Sequence, residues 1–275
     1  MSKASFEVIP HLKKKTIYAM LQQGSRIDGR KLTEYRQIAI EAGIVERANG
    51  SALVKLGNTM VIAGIKAGIG APFPDTPDAG ALMVNVEFVP FASPTFEPGP
   101  PDENAIEVAR VVDRGLRSTG AVNLEKLCIV PGKHVWVLWC DIYVLNHDGN
   151  LIDASALAAL TALLNTKLPK VTVEGGEVKI DERTLEPLPV EHYPVTVTMA
   201  KIGDHIVVDP CLDEELVMDA RLSIAVNEEG KVCAIQKGLG GYFTIEEVHK
   251  AIDMAVQVSN ELRNKIFEAI KKVGT

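Results

Sequence analysis

The sequence predicts an α+β protein of two similar lobes, with helices packed on mixed sheets. The length of 275 residues suits about two domains, and strand patterns precede helical patterns in both halves of the chain. Apolar residues make up 47% of the chain and charged residues 24%, which is typical of a folded domain and excludes a disordered chain. The net charge of −7 argues against a protein that coats nucleic acid with its whole surface, but a local basic patch is compatible with it.

An N-terminal extension, residues 1–25, precedes the first lobe, residues 26–168. Leu12, Ala19 and Met20 form an apolar side that predicts a helix over 10–23, with Gly24 as its C-terminal stop. In the lobe, β-rich runs alternate with helical periods, and Gly57-Asn58 reads as a two-residue hairpin turn. The predicted elements are strands over 51–56, 59–66 and 81–91, a helix over 102–118, a central strand over 134–145 and a helix over 153–166.

The second lobe, residues 192–275, follows a segment over 169–191 that is rich in proline and glycine, which we interpret as a linker. A helix over 244–273 closes the lobe, and Thr244 and Glu247 form its capping box. The predicted strands of this lobe are 195–200, 206–208, 222–226 and 232–237.

The helix over 102–118 carries the most informative side chains. On an ideal helix Arg110, Arg114 and Arg117 lie within about 60° of one another, opposite the apolar face. One interpretation is a solvated charged surface. The other is a surface that binds phosphates or a partner's carboxylates, because the guanidinium group makes bidentate contacts and stays charged at any relevant pH.

Neither a metal site nor a cofactor site is predicted. Carboxylates cluster after the second-lobe strand at Asp209, Asp213, Glu214, Glu215 and Asp219. A two-metal nuclease needs such convergence, but capping and first-turn charges explain these residues better. The four cysteines lack C-x-x-C spacing, so we expect no zinc site and a reducing cytoplasm. No apolar run approaches the about 20 residues that a membrane span requires.

Three stretches together resemble one family. Residues 26–30 read Arg-Ile-Asp-Gly-Arg and lead to Tyr35-Arg36, which resembles the opening motif of RNase PH-like proteins, phosphate-dependent 3′→5′ exoribonucleases and their relatives. The segments 96–105 and 148–157 are similar to those of the catalytically silent ring subunits of archaeal exosomes. The resemblance covers roughly residues 20–265, and its motifs occur in the family order.

The resemblance implies an RNase PH-like fold of two pseudo-symmetric β-α-β-α halves and a defined set of partners. These are a catalytic RNase PH-like exosome subunit, in a trimer of heterodimers that forms a six-membered ring, cap subunits with S1 or KH domains, and single-stranded RNA. It also implies that the helix with Arg110, Arg114 and Arg117 faces the neighbour's active site, where an arginine matching Arg110 contacts the RNA backbone.

Departures from the family pattern predict a degenerate phosphate site. Active members carry Gly-Thr-Arg or Gly-Ser-Arg where this chain has Asn150, Leu151 and Ile152, so a hydroxyl and a guanidinium are lost. Losing a charge-assisted bidentate contact weakens phosphate binding severely. An Arg-Arg pair of active members is replaced by Glu103-Asn104.

The acidic positions of the family are only partly retained. Asp209 matches the first of two acidic residues, whereas the second falls near Glu215-Leu216 and is not clearly retained. We therefore expect a non-catalytic subunit that helps to structure the active site of the neighbouring catalytic subunit and contributes arginines to RNA binding. Two alternatives stay open: an active phosphorolytic exoribonuclease with an altered phosphate site, and a ring scaffold that never touches RNA.

Overall fold

A computed structural model describes residues 3–174 and 177–273. Within this range every predicted helix and strand is present, and further strands or short helices occur over 38–42, 128–130, 167–174, 177–187 and 212–215. In chain order the elements are α1 (Lys3–Gln22), β1 (Ile38–Ala42), β2 (Gly50–Leu56), β3 (Thr59–Gly70), β4 (Ala81–Phe88), α2 (Glu103–Thr119), β5 (Cys128–Val130), β6 (His134–Asn146), α3 (Leu151–Leu164), β7 (Lys167–Glu174), β8 (Glu177–Pro187), β9 (Val195–Ile202), β10 (His205–Val208), α4 (Leu212–Glu215), β11 (Ala220–Val226), β12 (Val232–Gly238) and α5 (Ile245–Val273).

The first lobe contains a six-stranded mixed sheet in the order β1-β2-β3-β6-β4, with β5 paired to β6. All pairs are antiparallel except β4 with β6, which is parallel. Strand β6 pairs on both edges, which explains why its sequence is apolar on both faces. The hairpin of β2 and β3 turns at Gly57-Asn58, where Gly57 has a φ of 57° that glycine adopts readily.

The second lobe contains a four-stranded antiparallel sheet in the order β10-β9-β11-β12. Helix α3 packs against strands of both sheets, and α5 packs against β1, β9 and β11. Every residue from 151 to 163 of α3 is buried. A helix of alanine and leucine can be buried on all sides in this way, because Asp153 is its single charged residue.

Helix α3 begins two residues earlier than the sequence pattern predicts. Asn150 is its N-cap, and the Asn150 side chain accepts a hydrogen bond from the backbone N–H of Asp153. The shift matters for function because it places Leu151 and Ile152 in the first turn of the helix, where both are buried.

The segment over 169–191 is not simply an extended connection. Most of it belongs to a two-stranded antiparallel hairpin of β7 and β8. A single large hydrophobic cluster continues from β2, β3 and β6 through α3 to β9, β11 and α5. The two lobes are therefore packed on a shared core.

Helix α1 starts at Lys3, earlier than the predicted start at residue 10. Ion pairs link its Lys13 to Asp213 at 2.6 Å and its Lys14 to Asp219 at 2.7 Å. Its buried side chains pack in a small cluster with the second sheet, formed by Ile17, Leu21, Ala200, Ile202, Val207 and Val217. The N-terminal helix thus docks on the second lobe. None of the helices in the described part of the chain is long and apolar enough to cross a bilayer.

Candidate functional site

Helix α2 presents one face to the core and the other to an open cleft. Its N-cap Asp102 accepts a hydrogen bond from the Ala105 N–H at 2.8 Å, and Gly120 ends the helix in the left-handed conformation. The outer face lines a cleft of about 470 Å³ together with strand β4. We call it the arginine cleft; its lining includes Phe73, Leu82, Met83, Val84, Arg110, Asp113, Arg114 and Arg117.

Two of the three predicted arginines have partners within the chain. Arg117 pairs with Asp113 at 2.8 Å and donates a hydrogen bond to the Leu82 carbonyl at 3.0 Å. Arg114 donates to the side-chain oxygen of Gln236 on β12 at 2.7 Å. Arg117 is therefore anchored and partly neutralised, whereas Arg114 keeps its full charge and has one neutral partner.

Arg110 is exposed, and it has no hydrogen-bond or ion-pair partner among the described residues. The structure thus brings all three arginines to one cleft, as the helical wheel predicts. Among the described residues that line the cleft, three arginines face the single carboxylate of Asp113, so the cleft is positive and attracts anions.

The N-terminus of α3 is occupied by the protein's own side chains. The backbone N–H of Asn150 donates to the carboxylate of Glu215 at 2.9 Å. The Asn150 side-chain amide donates to Asp209 at 2.7 Å and to Asp153 at 2.8 Å. A helix N-terminus is a site where anions bind well, and here an internal carboxylate already fills that role.

Leu151 and Ile152 are 8% and 2% exposed and belong to the main hydrophobic cluster. They lie at the inner wall of a second cleft of about 240 Å³, which also contains Asn104. The predicted degenerate phosphate residues are therefore together at one place, beside an apolar wall. We call it the α3 cleft.

Charges in the α3 cleft do not favour an anion. Arg221 is engaged by Glu107 at 2.7 Å, and Glu215 adds a second carboxylate. Burial raises the pKa of Glu215 to about 7, so this group is partly ionised at neutral pH. The cleft is neutral to negative, the opposite of what a phosphate dianion requires.

Asp209 is fully buried next to Asn150, in the left-handed conformation with a φ of 51°. Its carboxylate accepts hydrogen bonds from the guanidinium group of Arg36 at 2.8 and 3.0 Å, from Arg30 at 2.9 Å and from Asn150. Burial by itself would raise the pKa of Asp209, but the hydrogen bond and charge of Arg36 outweigh it and hold that pKa below its usual value. The carboxylate is fully engaged in structural contacts.

The opening motif of the chain supplies the other half of this network. Arg26 is completely buried and makes a two-pronged ion pair with Glu214, besides donating to the carbonyls of Val208 and Asp209. Sequence analysis did not identify Arg26, Arg30 and Arg36 as an internal network. The available signal was opposite charge in two distant segments, which by itself specifies no pairing.

A third buried carboxylate, Asp153, joins α3 to the second lobe. It accepts hydrogen bonds from the Tyr35 hydroxyl at 2.6 Å and from the Thr198 hydroxyl at 2.7 Å. Burial raises its pKa to about 6. In residues 3–174 and 177–273, no three His, Cys, Asp or Glu side chains are grouped so that they could hold a metal ion.

The two-lobed fold and the cleft at the α3 N-terminus define a protein of the RNase PH class. Two family models match the chain: "3′ exoribonuclease family, domain 1" over residues 34–169, and "3′ exoribonuclease family, domain 2" over residues 192–258. The chain belongs to this 3′ exoribonuclease family.

Relatives and solved structures agree with this assignment. A Pyrococcus horikoshii protein named Exosome complex component Rrp42 is 56% identical over 270 residues, which is 98% of both chains. A protein of the same name from Methanopyrus kandleri is 49% identical, covering 94% of this chain and 97% of the relative. A chain from the Archaeoglobus fulgidus exosome with RNA bound to the active site superposes with a TM-score of 0.87 at 44% identity, covering 94% of this chain and 99% of that one.

Proposed function

We propose that this chain is a non-catalytic ring subunit of a 3′→5′ phosphorolytic exosome. In this role it pairs with a catalytic RNase PH-like subunit, three such pairs close the ring, and the chain completes its neighbour's active site. The shared name of the relatives, Exosome complex component Rrp42, supports the assembly. The ring would carry S1- or KH-domain caps and work on single-stranded RNA in the cytoplasm.

The observation that carries the non-catalytic part is the Glu215 carboxylate at the N-terminus of α3. Inorganic phosphate that used the Asn150 N–H would have to displace this group, and it would meet the apolar side chains of Leu151 and Ile152. The charge of Arg221 is already offset by Glu107 through Nη2, although its Nε is buried without a hydrogen-bond partner among the described residues. Asp209 is a carboxylate, which repels a phosphate dianion. Binding a phosphate dianion here would therefore require its desolvation, and no strong charge-assisted hydrogen bonds would offset that free-energy cost.

The proposed contribution to catalysis is made through the arginine cleft. Arg110 and Arg114 contact the RNA backbone beside the neighbour's active site, and Arg117 adds positive field while it stays anchored to Asp113. Backbone contacts hold a strand without reading its sequence, which suits a degrading enzyme of broad specificity. The exposed and unpartnered Arg110 supports this role most strongly.

The test uses the ring reconstituted with its catalytic partner subunit. The double variant Arg110→Glu with Arg114→Glu should assemble normally but bind RNA at least about tenfold more weakly, and the slope of log affinity against log salt should fall by about one to two. The matched control is Arg47→Glu with Arg183→Glu, which makes the same charge change at exposed sites outside the cleft. If both doubles bind RNA alike, the proposed contact is wrong.

Two further assays separate the alternatives. The isolated chain, given single-stranded RNA and phosphate, should release no nucleoside diphosphates, and their release would establish an active enzyme. Photocrosslinking of RNA to the assembled ring should label peptides that contain Arg110. Absence of that label beside normal labelling of the catalytic subunit would indicate a pure scaffold.

A further inference from the structure

The arginine cleft contains one aromatic ring that the backbone contacts do not explain. Phe73 comes from the loop between β3 and β4, and 52% of its surface is exposed. Among the described residues it makes no ring stacking or cation-π contact. It lines the same cleft as Arg110, Arg114 and Arg117.

The loop restrains the backbone that carries this ring. Pro72 and Pro74 flank Phe73, and a following proline restricts the preceding residue to extended conformations. The Thr76 N–H donates to the Phe73 carbonyl at 3.1 Å, which closes a turn. Little backbone conformational entropy is therefore lost when a ligand packs against the ring.

Neighbouring elements brace the same loop. The Gly132 N–H donates to the Pro77 carbonyl at 2.7 Å, and the Gly80 N–H donates to the Leu124 carbonyl at 2.8 Å. Gly80 lies so close to the Trp136 carbonyl that a Cβ there would come within 2.6 Å of the oxygen. An exposed ring on such a fixed segment costs hydration free energy without giving the fold a core contact.

We propose that Phe73 is a stacking platform for one nucleobase, beside the phosphate contacts of Arg110 and Arg114. This inference rests on the proposed function and extends it, because the cleft would bind the base of a nucleotide as well as its phosphate. Single-stranded nucleic acids are bound by pairing basic side chains for the backbone with aromatic faces for the bases. A volume of about 470 Å³ lies in the range of small-ligand sites, so the cleft suits one nucleotide.

The charge of the cleft excludes the other common partner of an exposed ring. A cationic ligand would gain a cation-π contact with Phe73 but would be repelled by the three arginines, of which only Arg117 is paired with a carboxylate. An anion with an aromatic surface satisfies both features. Because every base has a π face, the contact should depend on the presence of a base and little on which base it is.

The experiment compares Phe73→Ala, Phe73→Trp and the control Phe91→Ala in the reconstituted ring. Phe91 is 77% exposed and is not part of the arginine cleft. Each ring is titrated with single-stranded oligoadenylate and with an oligonucleotide of equal length that carries abasic sites. Phe73→Ala should weaken oligoadenylate binding by about tenfold or more and leave abasic binding and the salt slope unchanged. Phe73→Trp should keep wild-type affinity.

The outcomes distinguish this inference from the proposed function. Equal loss on both oligonucleotides, or no loss on oligoadenylate, would overturn the stacking role. If Phe73→Ala or Phe73→Trp prevents the six subunits from assembling, the Phe73 side chain contacts a neighbouring subunit. This result would also overturn the stacking role. If the arginine double variant has no effect while Phe73→Ala acts on oligoadenylate alone, the phosphate contacts are wrong and the stacking role stands.

Discussion

Replacing Asp209 by asparagine tests whether this acidic position is structural. The variant keeps the size of the side chain, and asparagine tolerates the left-handed backbone at this residue as aspartate does. It removes the negative charge between Arg30 and Arg36, whose side chains are only 10% and 8% exposed. Removing one partner of a buried ion pair costs about 3–5 kcal/mol, because the remaining charge stays desolvated. Asp28, 2.7 Å from Arg30, and Asp148, 3.9 Å from Arg36 and 36% exposed, compensate the two arginines only in part.

Urea unfolding of the isolated chain, followed by circular dichroism, measures this loss. Asp204→Asn in the exposed turn between β9 and β10 is the control, with an expected change within about 0.5 kcal/mol. The pKa of Asp209 is held below its usual value of 3.8 in the folded state. Its stabilisation is therefore complete above about pH 5 and disappears as the pH falls through the lowered pKa. The difference between wild type and variant should be constant from pH 5 to 8 and shrink in acid.

Two results would refute this explanation. A loss of stability under about 1 kcal/mol at pH 7 would mean that the arginines find other partners. A folded and assembled Asp209→Asn ring that had lost phosphorolysis would mean that this carboxylate acts on the substrate, contrary to its complete engagement by Arg36, Arg30 and Asn150.

Two more predictions concern the α3 N-terminus. Burial raises the pKa of Glu215 to about 7, so the folded state binds its proton more tightly than the unfolded state does. The free energy of unfolding should therefore fall from pH 4.5 to 7, by at most about 3 kcal/mol. In unfolding curves measured over this pH range, Glu215→Gln should remove this contribution to the pH dependence. A steeper fall in the variant than in wild type would contradict this. Gly149→Ala should destabilise the chain by about 3 kcal/mol, because its φ is 87° and the added Cβ would lie 2.5 Å from backbone atoms of Cys211 and Leu212. Gly132→Ala has a similar φ of 73° in open space, so thermal melts should show a loss of only about 1 kcal/mol, and equal losses would exclude the steric contribution.

Local patterns predicted the elements because helix and strand periods are set over a few residues. The arginine face of α2 follows directly from 3.6 residues per turn, and the hairpin of β2 and β3 follows from its turn residues. The predicted start of α3 was wrong by two residues. The helix begins after Asn150 because this residue adopts a positive φ and caps the helix, and an asparagine indicates such a conformation less clearly than a glycine does. Sequence analysis missed the hairpin of β7 and β8 because the proline and glycine content of residues 169–191 is typical of a loop.

The candidate sites divide in the same way. Sequence analysis placed Asn150, Leu151 and Ile152 together because they are consecutive, and it identified Asp209 as the acidic family position that this chain retains. It could not find that Glu215 fills the helix N-terminus, nor that Phe73 shares a cleft with Arg110. Those pairs are 65 and 37 residues apart in sequence, and no local pattern reports which distant side chains meet.

Residue order alone thus settled the family pattern, the alternation of strands and helices, and the shared face of the three arginines. Folding decided how each charge is used. Arg26, Arg30 and Arg36 become internal ion pairs and Arg110 stays exposed, although all four are the same residue type. The physical reason is that the free energy of a charge depends on its burial and its partners, and both are set only when distant segments pack together.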